Sequence, residues 1–233
     1  MTQAQPKKSD LGVRVVSALV MVTVAGTALW LGGWEWTLFV AAVALGVLWE
    51  WWGLTANFVR SHVARTVWAI GGIGYVGTAA LALQFLRNAP SLQHKGIELI
   101  LIVVLPVIAT DVGAYFAGRA IGGPKIAPSI SPSKTWAGLL GGMVAAGAVM
   151  IAATQIGGSG SVSPYYFPMY ALIGALIAIV AQCGDFFESW MKRKAGVKDS
   201  GSLLPGHGGL FDRADGLLAV MFAIGTLGLM FGR

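Results

Sequence analysis

The chain has 233 residues, of which 56% are hydrophobic and only 11% charged, with a formal net charge of +6. Soluble domains carry roughly a quarter charged residues, so this sequence lacks the polar supply to clothe a soluble globule, and its surface is expected to face lipid. In such a chain the basic excess reads as cytoplasmic loops, not as a nucleic-acid surface, and the single Cys183 excludes an intrachain disulfide framework.

A helix crossing the ~30 Å hydrocarbon core takes about 20 apolar residues. Seven stretches qualify: 12–31, 35–53, 66–86, 97–117, 136–156, 166–187 and 214–232. The first follows Lys7 and Lys8 as a signal peptide would, but it exceeds a signal core of ~7–15 residues and is expected to stay as a helix. The fourth carries Asp111 and the sixth ends at Asp185, which makes both candidates for a break or a tilt. No internal repeat or linker divides the chain. Because backbone in lipid must be helical or form a closed barrel, the expected fold class is all-α, one polytopic transmembrane helical bundle of about seven spans over 1–233. The 33 glycines suit close helix packing, either within the bundle or in a homodimer.

With the N-terminus inside and the spans alternating, 13 of the 16 lysines and arginines fall on the inner side. Only Arg87, Lys95 and Arg233 remain outside, so the positive-inside rule predicts N-in, C-out. Glu50, Asp111, Asp185, Glu188, Asp212 and Asp215 then lie at one depth near the cytosol. Each would cost roughly 2.5–3.5 kcal/mol in a lipid-facing helix, so a shared polar site is expected.

The densest polar stretch is 182–216. Asp185 and Glu188 are three apart, as are Asp212 and Asp215, so each pair shares a helical face. Two such pairs could hold a hard cation such as Mg²⁺; equally, each carboxylate could cap its helix or pair with Lys192, Arg193 or Arg213. Between the pairs, Lys192, Arg193, Lys194 and Lys198 are expected in a loop with Pro205-Gly206-His207-Gly208-Gly209, whose glycines let backbone N–H groups approach an anion. A nucleoside triphosphate is the natural guest. Acid pairs flanking a basic glycine loop favour metal-assisted phosphoryl or nucleotidyl transfer. A second polar patch, 119–135, puts Ser131, Ser133, Lys134 and Thr135 before the fifth helix, as a phosphate site at its N-terminus or simply as its cap.

The run Ser189-Trp190-Met191-Lys192-Arg193, Lys198-Asp199, Pro205 to Gly209 and Asp212-Arg213-Ala214-Asp215 resembles the signature of the phosphatidate cytidylyltransferase (CDP-diacylglycerol synthase) family. Asp111 to Tyr115, Gly118-Arg119 and Ser131 to Thr135 are similar to that family's other polar segments. The resemblance covers roughly 99–232, which makes 1–96 the N-terminal helices and 97–233 the catalytic part, with the signature at 189–215. Ala137 departs from it, standing where many members carry an acidic residue.

This resemblance implies CTP + phosphatidate → CDP-diacylglycerol + pyrophosphate, with Mg²⁺ and room for a second cation. It implies a multi-pass inner-membrane enzyme of phospholipid biosynthesis working at the cytoplasmic face, with membrane lipid and no nucleic acid as partner. By the same analogy Asp185, Asp212 and Asp215 hold metal and, with Lys192 and Arg193, are catalytic. Lys192, Arg193, Lys198, His207 and Arg213, with Gly208 and Gly209, take the triphosphate. Ser131, Lys134 and Thr135 take either phosphate, and Asp111 lines the substrate site or supports the metal. A CTP-dependent lipid-alcohol kinase would release CDP instead of pyrophosphate. A secondary transporter of an anionic solute would gather its charges at the midplane within inverted repeats, which this pattern does not do.

Overall fold

The computed structural model describes residues 11–88, 96–156 and 163–231. Its order is α1 (Leu11–Leu31), α2 (Gly33–Phe58), α3 (His62–Asn88), α4 (Gly96–Ala120), β1 (Lys125–Ala127), β2 (Ser131–Thr135), α5 (Trp136–Ile156), a 3-10 turn (Pro164–Tyr166), α6 (Phe167–Ala195) and α7 (Phe211–Phe231). Among the described residues, seven helices are long and apolar enough to cross a membrane. The protein is a helical membrane bundle.

Three local features differ from expectation. First, α4 runs unbroken through Pro106, and Thr110 Oγ1 donates to the Pro106 carbonyl at 2.8 Å. Asp111 does not interrupt it either, because its side chain opens onto a polar cleft instead of hydrocarbon. Second, α6 extends eight residues beyond the expected 187, so Lys192, Arg193 and Lys194 form its last turn and not a loop. Cations suit a helix C-terminus. Gly196 (φ 71°) then closes the helix, its N–H reaching the Arg193 carbonyl at 3.2 Å while Val197 N–H reaches Lys192 at 3.0 Å. Third, the polar segment before α5 is an antiparallel ribbon pairing Lys125 with Thr135 and Ala127 with Ser131.

Small residues set the helix spacing, since in lipid close van der Waals contact replaces the hydrophobic drive. A Cβ on Gly141 of α5 would run into Ala117 Cβ of α4, and one on Gly113 would stand 2.6 Å from the Gly141 carbonyl oxygen. Likewise a Cβ on Gly184 of α6 would meet Ala219 Cβ of α7 at 2.6 Å. The interior is filled by Val47, Val76, Ile100, Met191, Phe211 and Met221, with Trp51 packed against Trp68, Tyr75, Phe187 and Phe211. Trp30, Leu38, Val144 and Leu229 face outward, as lipid-contacting side chains do.

The connections sort to the two ends of the bundle. At one end the α6–α7 connection meets α1 through Ser17 and His207 (2.7 Å), α2 through Glu50, and the ribbon approaches α6 through Arg193 Nε on the Ile130 carbonyl (3.3 Å). At the other end, Arg87 of α3 donates to the Leu29 and Trp30 carbonyls at the close of α1 (2.8 and 3.2 Å). Among the described residues, Arg193 and Arg213 thus lie at the first end and Arg87 at the other.

Candidate active site

Asp185 and Glu188 lie one turn apart on α6, and Asp215 comes from the first turns of α7. One carboxylate oxygen from each lies within 4.8 Å of the other two. The close approach at Gly184, where a Cβ would stand 2.5 Å from the Asp215 carbonyl oxygen, brings the two helices near enough for this. Glu188 is fully buried. Lys192 Nζ stands 2.5 Å from its Oε2 as an ion pair, while Oε1 has no hydrogen-bond partner among the described residues. Lys134 pairs with Asp185 and Lys192 with Glu188, so a cation joining the three oxygens would add to positive charge already at the flanks of the group. An oxygen-only donor set with a buried oxygen lacking a hydrogen-bond donor fits a hard divalent ion of the Mg²⁺ type.

Asp212, the fourth carboxylate of the two acid pairs, is engaged differently. Its Oδ1 takes Lys192 Nζ at 2.6 Å, and its Oδ2 accepts from Ser200 N (2.8 Å), Gly209 N (2.9 Å) and Ser200 Oγ (2.9 Å). Lys192 thus bridges Asp212 to Glu188, and Asp212 ties the connection 196–210 onto α7. Of the three aspartates expected to share a cation, Asp185 and Asp215 converge with Glu188, while Asp212 serves Lys192 and the loop backbone.

On the far side of Asp185, β2 delivers Lys134, whose Nζ pairs with Asp185 Oδ2 and sits 5.0 Å from the Phe186 ring centroid. Ser189 Oγ donates to Asp185 Oδ1 at 3.3 Å. A cleft of about 350 Å³ opens here between α4, α5 and α6, lined among others by Asp111, Tyr115, Arg119, Lys134, Thr135 and Asp185. Thr135 is the cap of α5, its Oγ1 accepting from Gly138 N at 3.0 Å, and Ser131 is buried at the start of β2. Ala137 follows on α5, so no carboxylate from that position joins the site.

The glycine loop folds as a tight hairpin in which Leu204 N–H donates to the Gly208 carbonyl at 3.0 Å, with positive φ at Gly206 (76°) and Gly208 (82°). A side chain on Gly206 would press on Arg14 of α1 (3.1 Å to Cγ). His207 Nδ1 faces Ser17 Oγ, and its carbonyl accepts from Arg213 Nε (3.2 Å) and Nη2 (2.9 Å). Arg193, Lys198 and Arg213 are exposed at this end of the bundle.

A family model described as the cytidylyltransferase family matches residues 63–231. The chain belongs to the cytidylyltransferase family. Among relatives of this cytidylyltransferase, the phosphatidate cytidylyltransferase of Brucella suis is 35% identical, the alignment covering 96% of this chain and 95% of that one. That of Rickettsia bellii is 35% identical over 91% of this chain and 88% of its own, and that of Haemophilus influenzae 34% over 74% and 63%. Two residues of the site escaped sequence reasoning. Ser200 carries no distinguishing spacing, and Glu50 was visible only as an acid at the end of a span, its partners 150 or more residues away.

Proposed function

We propose that this cytidylyltransferase converts CTP and phosphatidate to CDP-diacylglycerol and pyrophosphate at the cytoplasmic face of the inner membrane, with the chain N-in and C-out. The observation that carries this reading is the convergence of Asp185, Glu188 and Asp215 between two lysines, Lys134 and Lys192, beside an open cleft. Lipid phosphate lies at the headgroup level and CTP arrives from the cytosol, so the reaction needs such a centre at one end of the bundle.

Asp185, Glu188 and Asp215 would hold Mg²⁺, which supplies neutralisation of phosphate charge during the transfer. The remaining work belongs to the chain. A phosphatidate oxygen bonds to the α-phosphorus of CTP, and the bond from that phosphorus to the bridging oxygen of the β-phosphate breaks, its electron pair leaving with pyrophosphate. The attacking oxygen is already anionic, so no general base is required; the barrier is repulsion between two polyanions, answered by positioning and fixed positive charge. Lys134 and Arg119, in the cleft that opens between α4 and α5, suit the lipid phosphate. Arg193, Lys198 and Arg213, exposed around the glycine hairpin, suit the triphosphate, with His207 as a further donor. Lys192, held between two carboxylates, acts as a fixed charge that keeps Asp212 and Glu188 in register.

The test is product analysis in mixed micelles with radiolabelled CTP and phosphatidate. The expected result is a lipid-soluble cytidine product with one pyrophosphate released per product, stopped by EDTA. Release of CDP with a phosphorylated lipid alcohol would replace this reading with the kinase.

A further inference from the structure

Glu50 sits in the second half of α2, outside the 63–231 segment matched by the family model, and its side chain is 3% exposed. A buried carboxylate needs partners, and those of Glu50 all come from the α6–α7 connection and the start of α7. Oε1 accepts from Leu210 N (2.9 Å); Oε2 accepts from Phe211 N (2.8 Å) and Ser200 Oγ (2.8 Å). Those amides belong to the residues that open α7, so the negative charge also lies where the helix dipole favours it. Among the described residues no lysine or arginine pairs with it. The loop is shaped around this carboxylate: a Cβ on Gly209 would stand 2.6 Å from Glu50 Oε2 and overlap Ser200 Oγ, and one on Gly201 would overlap Glu50 Oε1.

Ser200 links this contact to the centre. Its Oγ lies 2.8 Å from Glu50 Oε2 and 2.9 Å from Asp212 Oδ2, and its single proton can serve only one carboxylate at a time. From Asp212 the path continues through Lys192 (2.6 Å) to Glu188 (2.5 Å), a member of the acidic cluster.

We infer that Glu50 is a positioning residue for cytidylyl transfer: reaching from α2, its carboxylate fixes the start of α7 and, through Ser200 and Asp212, sets Lys192 and the acidic cluster. Glu50 does not line the cleft beside Asp185, and the role inferred for it rests on the function proposed above. Removing it leaves every reacting group present but displaced, and a displacement of about 1 Å at a remote support can cost about a hundredfold in rate.

The experiment uses the full chain in detergent, with Glu50→Gln, Ser200→Ala and the double variant. It reads kcat and KM for both substrates, and amide exchange in a peptide covering 198–212. An amide at Glu50 must turn its own N–H₂ toward a backbone N–H. Glu50→Gln is therefore expected to lower kcat about a hundredfold per folded, monodisperse protein, with both KM values within about threefold, and to speed exchange at Leu210 and Phe211. Ser200→Ala keeps those two amide contacts and loses the hydroxyl that joins Glu50 to Asp212; kcat falls about tenfold with little change in exchange. The double variant is expected to be no slower than Glu50→Gln alone, because both act along one path. A Glu50→Gln kcat close to wild type, a loss confined to KM, or full additivity overturns the inference, and Ser200→Ala decides should Glu50→Gln fail to fold. Wild-type protein that makes no cytidine lipid overturns the proposed function instead, while the exchange measurement still reads the Glu50 contacts.

Discussion

Lys192 is the cation on which two carboxylates depend. Its side chain is 13% exposed, against 1% for Glu188 and 10% for Asp212. Breaking a buried pair by removing one partner costs roughly 3–5 kcal/mol, because the other charge is left unpaired. Lys192→Met is therefore expected to lower the thermal midpoint in detergent strongly, and adding Glu188→Gln to recover part of the loss; a midpoint unchanged by Lys192→Met contradicts the bridge. Asp185→Asn and Asp215→Asn each remove an anionic oxygen from the cluster, and each is expected to lower kcat about a hundredfold or more while the protein stays folded and inserted. At this scale the sequence shows that Asp185 and Glu188 share a face, since the i, i+3 spacing survives in the structure. It leaves Asp212 open between a cation and Lys192, because the Ser200 and Gly209 amides that share Asp212 with Lys192 are brought there by how the connection folds back onto α7. Glu50 is opaque for the same reason: its partners are joined only by tertiary packing.

The helices hold the site by their spacing. Gly141 faces Ala117 so closely that any side chain there forces α4 and α5 apart, and these two helices frame the cleft containing Asp111 and Lys134. Overpacking typically costs about 1–3 kcal/mol, so Gly141→Val is expected to lower both the melting temperature and activity. Gly74→Ala on α3, where nothing lies within 4 Å of the added Cβ, is expected to leave both within error; the pair measured side by side checks whether helix spacing matters. Element existence is well encoded here, since all seven apolar stretches became helices. Their ends are less so. Hydropathy stops near 187, but α6 continues to Ala195 because polar helix is stable once it leaves hydrocarbon and can pack on the ribbon. The ribbon itself, with Pro132 inside β2, lacks the alternating β-branched pattern that announces a strand.

Across the whole molecule, the two ends of the bundle have different chemistry. One carries Arg87 on the carbonyls that close α1; the other carries the acidic cluster, the ribbon and the basic connection between α6 and α7. Charge bias along the sequence anticipated this sorting, because the positive-inside rule reads loops without needing tertiary contacts. In a Cys183→Ala background, Ser163→Cys is expected to react with a membrane-impermeant maleimide on intact cells and Ser202→Cys only after permeabilisation; the reverse pattern contradicts N-in, C-out. The proposed chemistry needs a divalent cation shared by Asp185, Glu188 and Asp215, and the most direct measurement is Mn²⁺ binding to the purified protein, followed by electron paramagnetic resonance. Wild type is expected to bind Mn²⁺ displaceably by Mg²⁺, and Asp215→Asn and Glu188→Gln to bind it at least about tenfold more weakly. Equal Mn²⁺ affinity in the variants and wild type would contradict the shared site.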